Sequence, residues 1–260
     1  MSVASLLCYP ATPLTWRDKA GEAALQALSA ATSDEIYLFR VSSNSPHLQA
    51  RFAHLLSADE RKQAERYRQA ADRRRFEMGR GSLRWLAGYV SGQAPAALQF
   101  VWGEHGKPNL SAETGWHVNV SHAGDWVLLA LARRPVGVDV EWANPDFRYQ
   151  ELIAACFSPS EQRALVAAQQ VSTEAGRQVF YTLWTRKEAL IKATGLGLTS
   201  QLTAISVLDG PQTVPAAAIG ADVQRYAMWT VQSFAVADAY PAALACPVLG
   251  SIQAFTLTNQ

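Results

Sequence analysis

The segment VFYTLWTRKEALIKATGLGL, residues 179–198, limits what this chain can fold into more than any other part of the sequence. Its large apolar side chains recur at helical spacing, and the glycines at its end are a stop signal, so the pattern predicts one long helix. Trp184, Glu188 and Lys192 follow one another at four-residue steps and share one helix face. Glu188 and Lys192 alone would describe a surface ion pair, but the neighbouring Trp184 indicates a face that is only partly solvated.

Other helices and strands follow from capping and alternation signals. Ser57 is expected to cap the first of two helices that run toward Gly88 and Gly92, and Ser158 to cap a helix that begins near Pro159. Strands are predicted at residues 35–41, 98–102, 126–132, 136–142, 204–208, 225–231 and in the C-terminal IQAFTL. The sequence ARRPVG is expected to join strands 126–132 and 136–142 as a hairpin.

Length, charge and cysteine content exclude several classes of protein. A chain of 260 residues is long enough to bury a hydrophobic core without disulfides or a structural metal. The three cysteines show no disulfide or zinc spacing, which favours a reducing cytoplasm. The formal net charge is +1, with +5 concentrated in residues 51–84, so a general nucleic-acid binder is not expected. The longest apolar strand is far below membrane-spanning length and no leader is evident, so we expect neither secretion nor membrane anchoring.

A pair of acidic residues, Asp139 and Glu141, lies in a predicted strand, where alternate side chains point to the same face. Two neighbouring carboxylates repel each other, and Mg²⁺, which prefers carboxylate and water oxygens, would relieve that repulsion. An exposed strand face or neutralisation by arginines explains the same pattern. If a metal is held here, Glu188 is the expected third ligand, and Lys192 is placed to meet an anion bound to it.

Ser121, His122 and Lys107 add groups suited to an anion. Ser121 and His122 are expected at a bend before strand 126–132, where hydroxyl and imidazole can donate hydrogen bonds, although a structural histidine is the alternative. Lys107 stands in a loop fixed by Pro108 and suits phosphate as a point charge, with a solvated loop lysine as the alternative. With the carboxylates and an arginine from the basic helices, these groups describe a pyrophosphate site.

Two common nucleotide and hydrolase signatures are missing. The chain has no G-x-S-x-G sequence, and Ser, His and Asp within five residues cannot form a catalytic triad. It also has no G-x-x-x-x-G-K-[ST] sequence, which excludes a P-loop NTPase.

Five motifs in order resemble the 4′-phosphopantetheinyl transferases of the Sfp type. They are GKP (106–108), NVSHAGDWVLLALA (119–132), GVDVEW (137–142), FSPSE (157–161) and FYTLWTRKEALIKATGLGL (180–198). The resemblance implies a cytoplasmic monomer with holo-carrier-protein synthase activity. Such an enzyme transfers the phosphopantetheine arm of coenzyme A to a serine of an apo acyl carrier protein or peptidyl carrier domain and releases 3′,5′-ADP.

The resemblance also implies a role for each matching residue. The metal ligands for Mg²⁺ would be Asp139, Glu141 and Glu188, and Lys192 would hold the phosphates of coenzyme A. The residues that would line the nucleotide are Arg75, Lys107, Pro108, Ser121 and His122, with His122 near the 3′-phosphate. Glu161 matches a helix glutamate that is proposed in the family to deprotonate the attacking serine, directly or through water.

The fold implied by the resemblance is of the α/β (α+β) class, with two similar halves related by a pseudo-two-fold axis. Each half would be an antiparallel sheet packed by helices, with an N-terminal extension at residues 1–34, an N-terminal half at 35–135 and a C-terminal half at 136–260. Two other functions stay open: a Mg²⁺-dependent hydrolase of coenzyme A or a nucleotide pyrophosphate, and a non-catalytic coenzyme A or carrier-binding protein. Three mutually repelling carboxylates argue against pure binding.

Overall fold

The computed structural model describes residues 11–29, 31–103, 105–195, 202–208, 212–213 and 228–259. These form two compact α/β units, which confirms the mixed α/β class. The N-terminal unit contains the described residues of 15–134 and 250–259, and the C-terminal unit those of 11–14 and 135–249. The division into domains at 34 and 135 stays a prediction. No helix in the described ranges combines the length and the apolarity that a membrane crossing requires.

The N-terminal unit has four helices and seven strands among its described residues. The helices are α1 (Gly21–Ser29), α2 (Pro46–Ala53), α3 (Ala58–Glu65) and α4 (Ala70–Ser91). The strands are β1 (Arg17–Ala20), β2 (Glu35–Ser42), β3 (Val101–Trp102), β4 (Pro108–Asn109), β5 (His117–Ala123), β6 (Trp126–Ala132) and, from the end of the chain, β11 (Ser251–Thr258).

The main sheet of this unit has the strand order β1-β11-β2-β6-β5. β11 runs parallel to both β1 and β2, whereas β2, β6 and β5 pair antiparallel. The sheet is therefore mixed, where an antiparallel one was expected. Parallel neighbours need a long crossover, and here residues 135–249 of the C-terminal unit lie between β2 and β11 in sequence.

Helix α4 packs across β5 and β6 and carries much of the buried apolar surface of the unit, including Met78, Leu83 and Leu86. It ends at Gly92, which adopts a left-handed conformation with φ 67°. The preceding helix, α3, begins with the predicted cap: Ser57 forms a capping box with Glu60. Both signals were correctly predicted from sequence.

The C-terminal unit is built around one long helix and an antiparallel sheet. Its helices are α5 (Ile153–Cys156), α6 (Pro159–Val171) and α7 (Thr173–Thr194), and its strands are β7 (Gly137–Val140), β8 (Gln212–Thr213), β9 (Met228–Ala237) and β10 (Tyr240–Cys246). The sheet order is β7-β10-β9-β8. Helix α7 packs on β7, β9 and β10, and α6 packs on α7.

The helix signals in this unit are confirmed. Ser158 and Glu161 form a capping box at the start of α6. Gly195 ends α7 with φ 76°, while Gly197 lies outside the described residues.

Several local predictions are wrong. Residues 204–208 form no strand: a 3₁₀ turn covers Leu202–Ala204, and the backbone carbonyls that follow bond to buried side chains. The segment ARRPVG is not a hairpin, because β6 and β7 belong to different sheets. Ser121 and His122 lie within β5 and pair with β6, not at a bend. Of the strand predicted at 225–231, residues 228–231 open β9 and 225–227 lie outside the described residues.

Candidate functional site

Gly137 allows β7 and α7 to touch. A Cβ atom at Gly137 would lie 2.1 Å from the Ala189 carbonyl oxygen and 2.4 Å from the Ala193 nitrogen, distances that real Cβ atoms do not show. Only glycine permits this approach. It brings Asp139, two residues later on β7, beside the turn of α7 that carries Lys192.

Asp139 and Lys192 form an ion pair across this contact. The Lys192 Nζ donates to Asp139 Oδ1 at 2.6 Å, and Asp139 is 3% exposed. The buried carboxylate excludes the alternative of an exposed strand face. A lysine from α7 supplies a positive charge to the Asp-x-Glu pattern at Asp139.

Glu141 lies just beyond β7 and is held by Trp184 of α7, whose Nε1 donates to Glu141 Oε1 at 3.1 Å. Burial raises the pKa of Glu141 to about 7, and the negative charge of Asp139 adds to this effect, while the Trp184 hydrogen bond opposes it. The Glu141 carboxyl group therefore keeps its proton to a higher pH than an ordinary glutamate does.

Glu188 is half-buried on the same side of α7. Burial raises the pKa of Glu188, the nearby Lys192 ammonium counteracts this, and the charge of Asp139 raises it further. Glu188 also contributes to the raised pKa of Glu141. The three carboxylates predicted from sequence thus act on one another electrostatically.

A divalent cation matches these donors in chemistry and charge. Carboxylate oxygens are the ligands that Mg²⁺ prefers, and a dication would relieve the repulsion among Asp139, Glu141 and Glu188. Within the described part of the chain, however, no three His, Cys, Asp or Glu side chains are gathered as a ready ligand set. In this arrangement the Lys192 ammonium is the cation at Asp139, so the metal assignment stays a prediction.

Glu161, the predicted base, lies at the start of α6 and is 0% exposed. Its Oε1 accepts from the Val207 N–H at 2.7 Å. Its Oε2 accepts from the Ser158 N–H at 2.7 Å and lies 2.9 Å from Lys187 Nζ. Through these contacts Glu161 binds the backbone at Ser158 and Val207. The role of Glu161 as a base stays a prediction.

Two buried cations beside Glu188 were not singled out from sequence. Arg186 and Lys187 are each 2% exposed and donate to backbone carbonyls of residues 202–208. A signal was present: Lys187 follows Leu183 by four residues and precedes Leu190 by three, so it occupies the apolar stripe of α7. Because Lys187 stands between two other charged residues in the run Arg-Lys-Glu, its buried position was not predicted.

In the N-terminal unit, α4 places Arg75 near His122. Gly79, one turn after Arg75, packs against β5, where an added Cβ would lie 3.9 Å from His122 Cδ2. Arg75 Nη1 donates to the Gly124 carbonyl at 3.2 Å, and its guanidinium also pairs with Asp72. The predicted nucleotide-contacting Arg75 and His122 therefore share one end of β5.

The other predicted nucleotide residues are distributed over this unit. Ser121 is buried and His122 exposed, as adjacent residues of a strand must alternate. Lys107 and Pro108 belong to the small β3–β4 hairpin, where the Lys107 carbonyl accepts from the Gly103 N–H at 2.9 Å. The hairpin turn contains Gly106 with φ 74°, a conformation that favours glycine.

Comparison with known proteins gives matches along most of the chain. The family model described as 4′-phosphopantetheinyl transferase superfamily matches residues 135–245, and the model described as 4′-phosphopantetheinyl transferase, N-terminal, matches residues 42–134. The chain is 35% identical over 195 residues to the 4′-phosphopantetheinyl transferase HetI of Nostoc sp., covering 71% of this chain and 81% of the relative. It is 33% identical to psf-1 of Bacillus pumilus, covering 72% and 81%, and 30% identical to Sfp of Bacillus subtilis, covering 66% and 74%.

Proposed function

Because this chain belongs to the 4′-phosphopantetheinyl transferase superfamily and is an enzyme of that type, we propose that it uses the Asp139 site to act on coenzyme A with Mg²⁺. The reaction moves the phosphopantetheine arm to a serine of an apo acyl or peptidyl carrier protein. The bond between the two phosphates of coenzyme A breaks, a phosphodiester to the serine oxygen forms, and 3′,5′-ADP leaves.

The C-terminal unit supplies the groups for the reacting pyrophosphate. Asp139, Glu141 and Glu188 would hold Mg²⁺, which when bound withdraws charge from the phosphates and from the leaving 3′,5′-ADP. Lys192 reaches the same place and offers a point charge to a phosphate oxygen. Trp184 holds Glu141 in place through its indole N–H.

The residues that match the nucleotide-contacting positions of the family belong to the N-terminal unit. Arg75 and His122 lie at one end of β5, where a guanidinium and an imidazole suit an anionic 3′-phosphate. Lys107 and Pro108 present a rigid turn on the β3–β4 hairpin. Ser121 offers a hydroxyl from the neighbouring position of β5.

One observation carries the proposal most directly: a buried carboxylate, Asp139, faces a lysine ammonium beside two further carboxylates with raised pKa values. Such an arrangement suits an enzyme that binds both a dication and an anionic substrate, since the two ligands carry opposite charges and partly neutralise each other.

Intact-mass spectrometry of a purified apo-carrier tests the proposal. With coenzyme A and Mg²⁺, we expect a gain of about 340 Da, the mass of the phosphopantetheine arm. Consumption of coenzyme A without any gain in carrier mass would instead identify a hydrolase. If coenzyme A is not consumed and no carrier gains mass, across a panel of acyl and peptidyl carriers, the proposal is contradicted.

A further inference from the structure

We propose that Glu161 is a positioning residue and not the base that deprotonates the carrier serine. Its buried carboxylate neutralises Lys187, and together they fix residues 202–208, here called the 202–208 segment, against α7. This inference rests on the proposed function, because it assigns Glu161 a role in the same reaction.

A general base must come within about 3 Å of the proton that it removes, directly or through one water. Glu161 is 0% exposed, and both of its oxygens already accept from groups of the protein. Oε1 accepts from Val207 at 2.7 Å, and Oε2 accepts from Ser158 at 2.7 Å and lies 2.9 Å from Lys187 Nζ. A serine from another protein has no open path to either oxygen in this arrangement.

Lys187 uses its whole hydrogen-bonding capacity in the same cluster. An ammonium has three N–H donors. Besides its contact with Glu161, Lys187 Nζ donates to the Leu202 carbonyl at 2.7 Å and to the Ile205 carbonyl at 2.5 Å. The ammonium thus bridges α7 to the 202–208 segment, and Glu161 supplies the negative charge that a buried lysine requires.

Arg186 extends the same attachment. Its Nη1 donates to the Val207 and Leu208 carbonyls at 3.0 Å each, and its Nε donates to Ser233 Oγ of β9 at 2.7 Å. Arg186 and Lys187 directly precede Glu188. A loosened segment would therefore free the turn of α7 that orients Glu188, and transfer would fall without any loss of a proton acceptor.

Three variants separate positioning from base catalysis: Glu161→Gln, Lys187→Gln and the double variant carrying both. A glutamine at position 187 removes the charge but keeps two N–H donors for the Leu202 and Ile205 carbonyls. Replacing one member of a buried ion pair leaves the other charge uncompensated, whereas replacing both removes the charge entirely. Positioning predicts that each single variant lowers kcat at least about tenfold and that the double variant recovers to within about fivefold of wild type. Base catalysis predicts that the double variant stays as slow as Glu161→Gln, about 10²- to 10⁴-fold below wild type.

Hydrogen–deuterium exchange gives a second measurement. Exchange in the 202–208 segment should rise in both single variants and return toward wild type in the double variant. Unchanged exchange in Glu161→Gln, or a double variant as slow as Glu161→Gln, would overturn the inference. If a single variant does not fold, the kcat of the double variant, compared with that of wild type, distinguishes positioning from base catalysis.

Controls separate this inference from the proposed function. Glu151→Gln, an exposed isosteric change, should leave kcat and exchange unaltered. Glu188→Gln should lose transfer without raising exchange in the 202–208 segment. Absence of transfer by the wild-type enzyme would count against the proposed function, whereas active wild type with an inactive, well-folded double variant would count against positioning by Glu161.

Discussion

The ammonium of Lys192 donates to the carboxylate of Asp139 at 2.6 Å, which connects the last turn of α7 to β7. This contact places a positive charge at the buried carboxylate of Asp139. In the proposed reaction, Asp139 would hold the dication and Lys192 would contact a phosphate oxygen. The pair therefore links substrate capture to metal binding in the proposed reaction.

Lys192→Ala should weaken the capture of coenzyme A more than it slows the chemical step. We expect KM for coenzyme A to rise about 10- to 100-fold, since a charge-assisted contact to phosphate is lost. Steady-state transfer to an apo-carrier measures this change. Lys62→Ala, which alters an exposed lysine of α3, is the matched control and should leave KM unchanged. An unaltered KM in Lys192→Ala would contradict the phosphate role.

Glu141→Gln should stabilise the metal-free protein while reducing transfer. Burial raises the pKa of Glu141 in the folded protein to about 7 from 4.5, so the fold disfavours the charged form. Stability from this group falls as pH rises from about 4.5 to about 7 and is fully lost above that window. At pH 8 with a chelator we expect a gain of up to about 3 kcal/mol in the free energy of unfolding.

Chemical denaturation of wild type and Glu141→Gln at pH 8 and pH 4 measures this effect. The difference should shrink toward zero at the lower pH, where Glu141 is protonated in both states. Glu151→Gln, an exposed change outside the site, provides the baseline for simple charge removal. A variant less stable than wild type at pH 8 would show that the folded protein stabilises the Glu141 carboxylate.

Gly137→Ala should destabilise the C-terminal unit by about 3 kcal/mol or more, because a new methyl group would collide with the backbone of α7. Thermal unfolding followed by circular dichroism measures the loss. Gly79→Ala is a matched control on a helix, since its nearest neighbours would lie 3.6 Å from the new Cβ, an ordinary contact. Equal unfolding temperatures for Gly137→Ala and wild type would contradict the close packing of β7 on α7.

Elements set by local chemistry were predictable from the sequence. The capping boxes at Ser57 and Ser158 and the left-handed stop at Gly195 depend on residues within a few positions of one another. The pairing of β11 with β1 and β2 was not predictable, because it joins strands more than 200 residues apart. No spacing rule in the sequence specifies which sheet such a strand enters.

In the candidate site, too, features set by local spacing were predictable, whereas those set by tertiary packing were not. The Asp139–Glu141 and Glu188–Lys192 spacings indicated which side chains share a face, and the structure couples them electrostatically. The partner of Lys192 was not evident, because the contact with Asp139 depends on the close approach at Gly137. The fixed position of Glu161 was hidden as well, since its contacts with Lys187 and Val207 arise only from tertiary packing.

His122→Ala should lower discrimination between coenzyme A and 3′-dephospho-coenzyme A. If His122 contacts the 3′-phosphate, the variant loses about tenfold in kcat/KM for coenzyme A and little for the dephosphorylated substrate. His54→Ala, an exposed histidine outside β5, is the control. Parallel losses for both substrates would place the His122 contribution elsewhere in the reaction.

The dependence of carrier modification on Mg²⁺ tests the account most directly when wild type and Asp139→Asn are compared by intact mass. We predict that a chelator abolishes transfer by the wild-type enzyme, and that Asp139→Asn needs at least about tenfold more Mg²⁺ and turns over at least about 100-fold more slowly. Full transfer in chelator, or the same Mg²⁺ dependence and rate in Asp139→Asn, would contradict the proposed role of these carboxylates.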